Sequence, residues 1–196
     1  MNAVQHPLAA VLPGARRIHE RAALDAAIAR IGREITATLQ GERAVFLTVM
    51  NGGMFFATPL ALAIGCDLEF DYVHASRYGD AIAGREVEWQ RKPRASLGGR
   101  TVILADDILD EGYTLAALRD YCVSAGARRV LIAVLCVKCH DRRVAGLAAD
   151  FVGVEVPDRY VFGCGLDYYG QGRHLPDIYA LEEGRHVGDS IDLAVI

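Results

Sequence analysis

Apolar residues recur at helical spacing between charges from Ile18 to Leu39, which predicts one long amphipathic helix. Ala44 to Met50 reads differently: a short run of branched and aromatic residues without polar alternation, as in a strand buried on both faces. That run stops at Asn51-Gly52-Gly53, after which Met54 to Ile64 resumes helical spacing, and Leu68 to His74 predicts another strand. From Ser76 to Pro93 the apolar pattern breaks down around Gly79, Gly84 and a lone Trp89, so a long polar loop or exposed hairpin is expected. Gly98-Gly99 marks a turn before a third strand, Thr101 to Ala105. A helix is expected from Thr114 to Ser124, closed by Gly126, and a continuous apolar strand from Val130 to Val137. Strand, loop, helix and strand in that order form a βαβ unit, so the fold is α/β, with a largely parallel sheet covered on both faces. Phe151 to Val156 and Tyr160 to Phe162 add short strands; beyond Gly163 the chain is irregular, rich in Gly, Tyr and Asp, and fits a cap over the sheet.

Composition narrows the classes. The 196 residues are 52% hydrophobic with mean hydropathy +0.18, enough to bury the core of a single domain spanning residues 1–196. With 21 basic against 25 acidic residues the net charge is −4, which argues against a general nucleic-acid coat, and no nucleic-acid partner is expected. The apolar runs are strand-sized and Met1 to Arg17 holds no uninterrupted apolar core, so neither a membrane partner nor a secretory signal is expected, and the cytoplasm is the expected compartment. Five cysteines, an odd number in apolar surroundings, read as reduced buried thiols. Lys92 and Lys138 are the only lysines, so the position of each matters.

In open parallel sheets, ligands bind outside the carboxyl ends of the strands, and Asp106 to Thr114 occupies such an end. Gly112 admits close approach of an anion, and a helix beginning at Thr114 offers N–H groups and a positive dipole end, together a phosphate cradle. Asp106, Asp107 and Asp110 beside it would repel a bare phosphate. The conflict resolves if these carboxylates take sugar hydroxyls, which donate to them, or Mg²⁺, which screens one anion from another. A sugar phosphate carrying a Mg-bound diphosphate satisfies every group in the segment. A single aspartate there would merely cap the helix; three, with Gly and Thr directly after a buried strand, point to a site.

Val102-Ile-Leu-Ala-Asp106-Asp107-Ile-Leu-Asp110-Glu111-Gly112-Tyr113-Thr114-Leu115 resembles the phosphoribosyl-diphosphate signature of the type I phosphoribosyltransferases. Met50-Asn51-Gly52-Gly53, Ser76-Arg77-Tyr78-Gly79, Val137-Lys138, Asp150 to Val161, Gly163 to Tyr168 and Arg173 extend the likeness in order over roughly residues 44–180, to the hypoxanthine-guanine branch of that family. The resemblance implies a parallel-sheet type I phosphoribosyltransferase core with helices on both faces and a small hood, built mainly from about 155–196 with part of the N-terminal segment. It implies transfer of the 5-phosphoribosyl group from phosphoribosyl diphosphate to N9 of hypoxanthine or guanine, giving IMP or GMP and diphosphate, with Mg²⁺ as cofactor.

Carried onto matching positions, the resemblance gives Asp106, Asp107, Asp110, Glu111, Gly112, Tyr113 and Thr114 to the ribose and 5-phosphate. Asp110 is the catalytic residue, moving a proton near purine N7. Asn51, Gly52 and Arg173 hold the diphosphate. Lys138 donates to the 6-oxo group, Tyr160 stacks on the base, the Val161 backbone reads the ring edge, and Asp167 lies beside it. Asp106, Asp107 and Asp167 are the metal candidates, and Ser76, Arg77 and Tyr78 a lid that excludes water. A homo-oligomer, dimer or tetramer, is expected.

Three departures stand out. Glu111 replaces the Thr or Ser that usually touches the 5-phosphate and is expected to point outward, leaving its backbone N–H to serve. Asn51 replaces a common lysine, and Asp106 the usual Glu. Competing patterns fare worse. Asp106-Asp107-x-x-Asp110 also spells an isoprenyl-diphosphate motif, but it follows a strand and has no second copy. Cys136-x-x-Cys139-His140 spells a haem-attachment motif, yet a strand sends residues 136 and 139 to opposite faces, and the remaining histidines show no ligand spacing. A phosphoribosyltransferase-fold regulator of nucleic acid is the remaining alternative, resting on Arg128, Arg129, Arg142 and Arg143 as a basic strip.

Overall fold

The computed structural model describes residues 6–77 and 87–182. In chain order the elements are α1 (Leu8–Val11), β1 (Arg16–His19), α2 (Arg21–Leu39), β2 (Ala44–Met50), α3 (Met54–Ala63), β3 (Leu68–Arg77), β4 (Val87–Arg91), β5 (Thr101–Leu109), α4 (Tyr113–Ser124), β6 (Arg129–Cys139), β7 (Phe151–Pro157), β8 (Val161–Phe162) and β9 (Ile178–Ala180). The main sheet has the order β4-β3-β2-β5-β6-β7, parallel throughout except where β4 runs antiparallel to β3.

Alternation along the central strands divides the core in two. Phe46, Ile103, Ala105, Leu131 and Leu135 face one side, where they meet Leu24, Ile28, Ile31 and Ile35 of α2 and Phe56 and Leu60 of α3. Val45, Leu47, Leu104, Ile132 and Val134 face the other, against Leu115, Leu118 and Cys122 of α4. The parallel sheet with helices on both faces is therefore present. Gly32 permits the close crossing of α2 and α3, since a Cβ there would lie 2.6 Å from Ala63 Cβ.

Four expectations change. The helix expected from Ile18 begins only at Arg21: Arg16–His19 instead pairs with β9, and that long-range ladder overrides local helical spacing. β5 does not stop at Ala105. It continues through both aspartates because Asp106 pairs with Val134, Ile108 with Cys136 and Leu109 with Val137 on β6. The segment beyond Gly163 is not wholly irregular, since Ile178–Ala180 forms the middle strand of a second sheet, β1-β9-β8. The thiols are all free but not all buried: Cys122, Cys136 and Cys164 are, whereas Cys66 is half-buried and Cys139, at the exposed end of β6, faces outward.

The small sheet covers the carboxyl end of the main one, with Val11, Phe162, Tyr168 and Leu181 forming its own apolar cluster. On the opposite flank Ala75, Ser76 and Arg77 pair with Trp89, Glu88 and Val87, so the polar stretch is a hairpin at its base. Ser76 and Arg77 are the last residues of β3, and Tyr78 lies outside the described residues. Among the described residues no helix is long and apolar enough to cross a membrane.

Candidate active site

The carboxyl ends of β2, β5 and β6 converge beneath the small sheet. Asp106 and Asp107, consecutive on β5, are both buried, and the Asp107 N–H donates to Asp106 Oδ1 at 2.9 Å. Burial pushes both carboxyls up; the Asp107 charge raises Asp106 further, to well above the usual carboxylate range, while the Arg173 guanidinium partly offsets the rise at Asp107. Two adjacent buried carboxylates cannot both ionise without a cation or several donors near them.

Arg173 supplies part of that compensation. Its Nη1 lies 3.6 Å from Asp107 Oδ2 and donates to Gly165 O at 2.6 Å, and its Nη2 meets Asp167 Oδ1 at 2.6 Å. Asp167 Oδ2 accepts the Gly170 N–H (2.7 Å), and Gly165 N–H donates to Arg173 O (3.0 Å), which fixes the guanidinium from both sides. The loop after β2 fits against this group: a Cβ on Gly52 would fall 1.7 Å from Asp107 Oδ2 and 2.7 Å from Arg173 Nη1. Asn51 is exposed at the rim, joined to Met50 by a cis peptide bond.

Gly112 opens α4 with φ +88°, and a Cβ there would meet Leu147 Cδ2 at 2.4 Å. Glycine is thus required by a left-handed backbone and a packed leucine as much as by anion access. The first intrahelical bond runs from Ala116 N–H to Gly112 O (2.9 Å), so the amides of Tyr113, Thr114 and Leu115 precede the ladder at the positive end of a 12-residue helix. Glu111 is half-buried, and its carbonyl accepts the Val144 N–H at 2.8 Å.

Asp110, just past β5, is bound on both oxygens. Oδ2 pairs with the Lys138 ammonium and Oδ1 with His140 Nε2 at 2.6 Å. Lys138 is buried, so the partner that a lysine ending an apolar strand requires is Asp110. His140 was given no role by spacing or by resemblance. The available signal was its place two residues beyond Lys138, where an extended backbone returns side chains to one side. Cys136 is buried and Cys139 exposed, the opposed faces that rule out a Cys-x-x-Cys-His ligand set.

Tyr160 lies between β7 and β8 with its ring edge-on to Tyr168 (5.5 Å between centroids) and nearly parallel to Tyr169 (6.1 Å, 15°). Burial pushes its phenol up to about 12, so the hydroxyl stays protonated at neutral pH while accepting the Tyr169 N–H at 3.4 Å. Val161 is buried at the start of β8. Of the predicted residues, one group gathers Gly52, Asp106, Asp107, Asp167 and Arg173; a second joins Asp110 to Lys138. The four arginines form no strip. Arg128 and Arg129 sit at the start of β6 and Arg142 and Arg143 beyond its end, about 30 Å apart for a strand of 11 residues. Arg128 and Arg142 are moreover paired, with Glu42 (2.5 Å) and Asp158 (2.7 Å).

The carboxylates of Asp106, Asp107 and Asp167 are hard oxygen donors of the kind Mg²⁺ prefers. Among the described residues no three His, Cys, Asp or Glu side chains converge as a closed metal cage. The buried acid pair, balanced only in part by Arg173, is a donor set that a cation fits.

Comparison with known proteins agrees with this geometry. Residues 14–169 match the phosphoribosyl transferase domain family. A hypoxanthine-guanine phosphoribosyltransferase of Bacillus subtilis is 34% identical over 156 residues, covering 79% of this chain and 86% of that protein. A bifunctional TilS/HprT protein of Listeria innocua is 37% identical over 156 residues, and the match spans 79% of this chain but only 24% of that longer protein. Among solved structures, a hypoxanthine phosphoribosyltransferase of Staphylococcus aureus superposes with a TM-score of 0.82 at 26% identity, covering 90% of this chain and 97% of that one. The chain belongs to the phosphoribosyl transferase domain family and, within it, to the hypoxanthine-guanine phosphoribosyltransferases.

Proposed function

We propose that the protein is a purine-salvage enzyme that transfers the 5-phosphoribosyl group from phosphoribosyl diphosphate to N9 of hypoxanthine or guanine, releasing diphosphate. The observation that carries this reading is the Asp110–Lys138 pair, set beside the Asp106–Asp107–Arg173 group at one end of the sheet. The first turn of α4 binds the 5-phosphate through its amides. Asp106 and Asp107 accept the ribose hydroxyls, and Arg173 with the Gly52 backbone neutralises the departing diphosphate, as a transition state that moves charge onto the leaving group requires. Asp106, Asp107 and Asp167 are the residues that would hold Mg²⁺, which when bound supplies positive charge to the diphosphate.

On the base side, Tyr160 offers its ring face to the purine and Val161 its backbone to the ring edge. Lys138 leaves Asp110 to donate to the 6-oxo group. Asp110 then accepts the proton from N7 as N9 bonds to C1 of the ribose and the bond from C1 to the diphosphate oxygen breaks. Ser76, Arg77 and Tyr78 close over the site to keep water from the reactive sugar. Subunits pair as a dimer or tetramer in the cytoplasm.

A panel of purine bases with phosphoribosyl diphosphate and Mg²⁺ tests the reading. Nucleotide formation from hypoxanthine or guanine, with adenine inert and chelator abolishing turnover, is expected. Saturable donor binding without turnover of any base would overturn it in favour of a regulator.

A further inference from the structure

The Asp110 carboxylate has a second partner, on the oxygen that Lys138 does not hold. His140 has a side chain only 2% exposed; its Nε2 lies 2.6 Å from Asp110 Oδ1, and its Nδ1 accepts the Arg142 N–H at 3.1 Å. A ring nitrogen that accepts a backbone N–H carries no proton, so the proton is on Nε2 and a neutral imidazole donates to the carboxylate. The turn carrying this imidazole is fixed on both sides. Arg142 makes two bonds to Asp158 (2.8 and 2.7 Å), and Arg143 Nη2 donates to Lys138 O at 3.0 Å.

We propose that His140 is a positioning residue. It holds Asp110 through Oδ1, so that Oδ2, vacated when Lys138 turns to the 6-oxo group, stays aimed at purine N7. This inference rests on the transferase reading and adds to it. A carboxylate tethered by Lys138 alone would lose its orientation at the moment the lysine moves, and a reacting group out of line costs rate steeply. Neutrality matters as well. Among the described residues Lys138 is the one cation that binds the carboxylate directly, and its departure leaves Oδ2 able to accept the proton from N7, which a second cation in place of His140 would oppose.

Two measurements decide it. Nitrogen-15 spectra of histidine-labelled wild-type protein, without substrates, are expected to show His140 as the neutral tautomer protonated at Nε2. An imidazolium, or a proton on Nδ1, overturns the proposal whatever the enzyme turns over. In steady-state kinetics His140→Ala is expected to lower kcat on the order of 10–100-fold, with KM for phosphoribosyl diphosphate within about twofold. His140→Gln, which keeps an N–H donor near the Nε2 position, is expected to recover most of the loss. Unchanged kcat in His140→Ala, or an equal loss in both variants, overturns the positioning role. Wild-type protein that converts no purine overturns the transferase reading instead, and the tautomer still decides whether His140 clasps Asp110.

Discussion

In the proposed reaction Asp110 and Lys138 exchange one partner for another, and their substitutions separate the two roles. Asp110→Asn preserves size and is expected to slow kcat by about 10²–10⁴-fold with donor KM nearly unchanged. Lys138→Ala is expected to erase the preference for 6-oxo over 6-amino purines, read as the ratio of kcat/KM for hypoxanthine and adenine. Both residues were legible in the sequence, one inside a dense acidic signature and one as a rare lysine ending an apolar run. His140 was not, because its meaning comes from Asp110, which is 30 positions away in the chain and is brought near by the β5–β6 pairing. The Arg173–Asp167–Gly165 arrangement was half legible: resemblance pointed to both side chains, but their mutual contact depends on left-handed turns at Gly163, Cys164 and Gly165 that spacing does not encode.

At the scale of elements, the turn between β2 and α3 shows how adjacent glycines can answer to different demands. A Cβ on Gly52 would meet the tip of a side chain, Asp107 Oδ2; on Gly53 it would meet backbone, Val49 O at 2.5 Å and Ala105 O at 2.8 Å. Side chains yield and sheet backbone does not. Gly52→Ala is therefore expected to raise donor KM roughly tenfold or more with a melting temperature within a few degrees of wild type. Gly53→Ala is expected to lower the melting temperature several degrees, in line with overpacking costs of about 1–3 kcal/mol. Thermal melts alongside donor titrations of the two variants check both outcomes. The sequence marked this turn as the end of a strand, and the periodicity of α3, β2 and β6 was plain. It could not mark β1 or β9, which have three or four residues each and no pattern apart from the partner each pairs with.

Across the whole molecule, Asp71 ties the hairpin flank to the sheet. Its Oδ1 accepts the Tyr72 N–H (2.8 Å) and meets Arg91 Nη1 (2.8 Å), and its Oδ2 accepts the N–H groups of Arg94 and Ala95 (the latter 2.9 Å). Burial alone would raise this carboxyl, but those donors outweigh it and hold the group at about 2. A depressed carboxyl stabilises the fold above its unfolded value near 4, and that contribution is lost as pH falls through about 2. Wild type is thus expected to lose on the order of 2 kcal/mol more unfolding free energy than Asp71→Asn between about pH 4 and 2, measured by urea titration.

Asp110, Lys138 and His140 all stand at the ends of two neighbouring strands whose backbones pair as far as Leu109 and Val137. The spacing between Asp110 and its two clasps is therefore built into a laddered floor. Opening and closing during a catalytic cycle must be carried by the walls around it, and amide exchange should be slowest in the very strands that bear the chemistry.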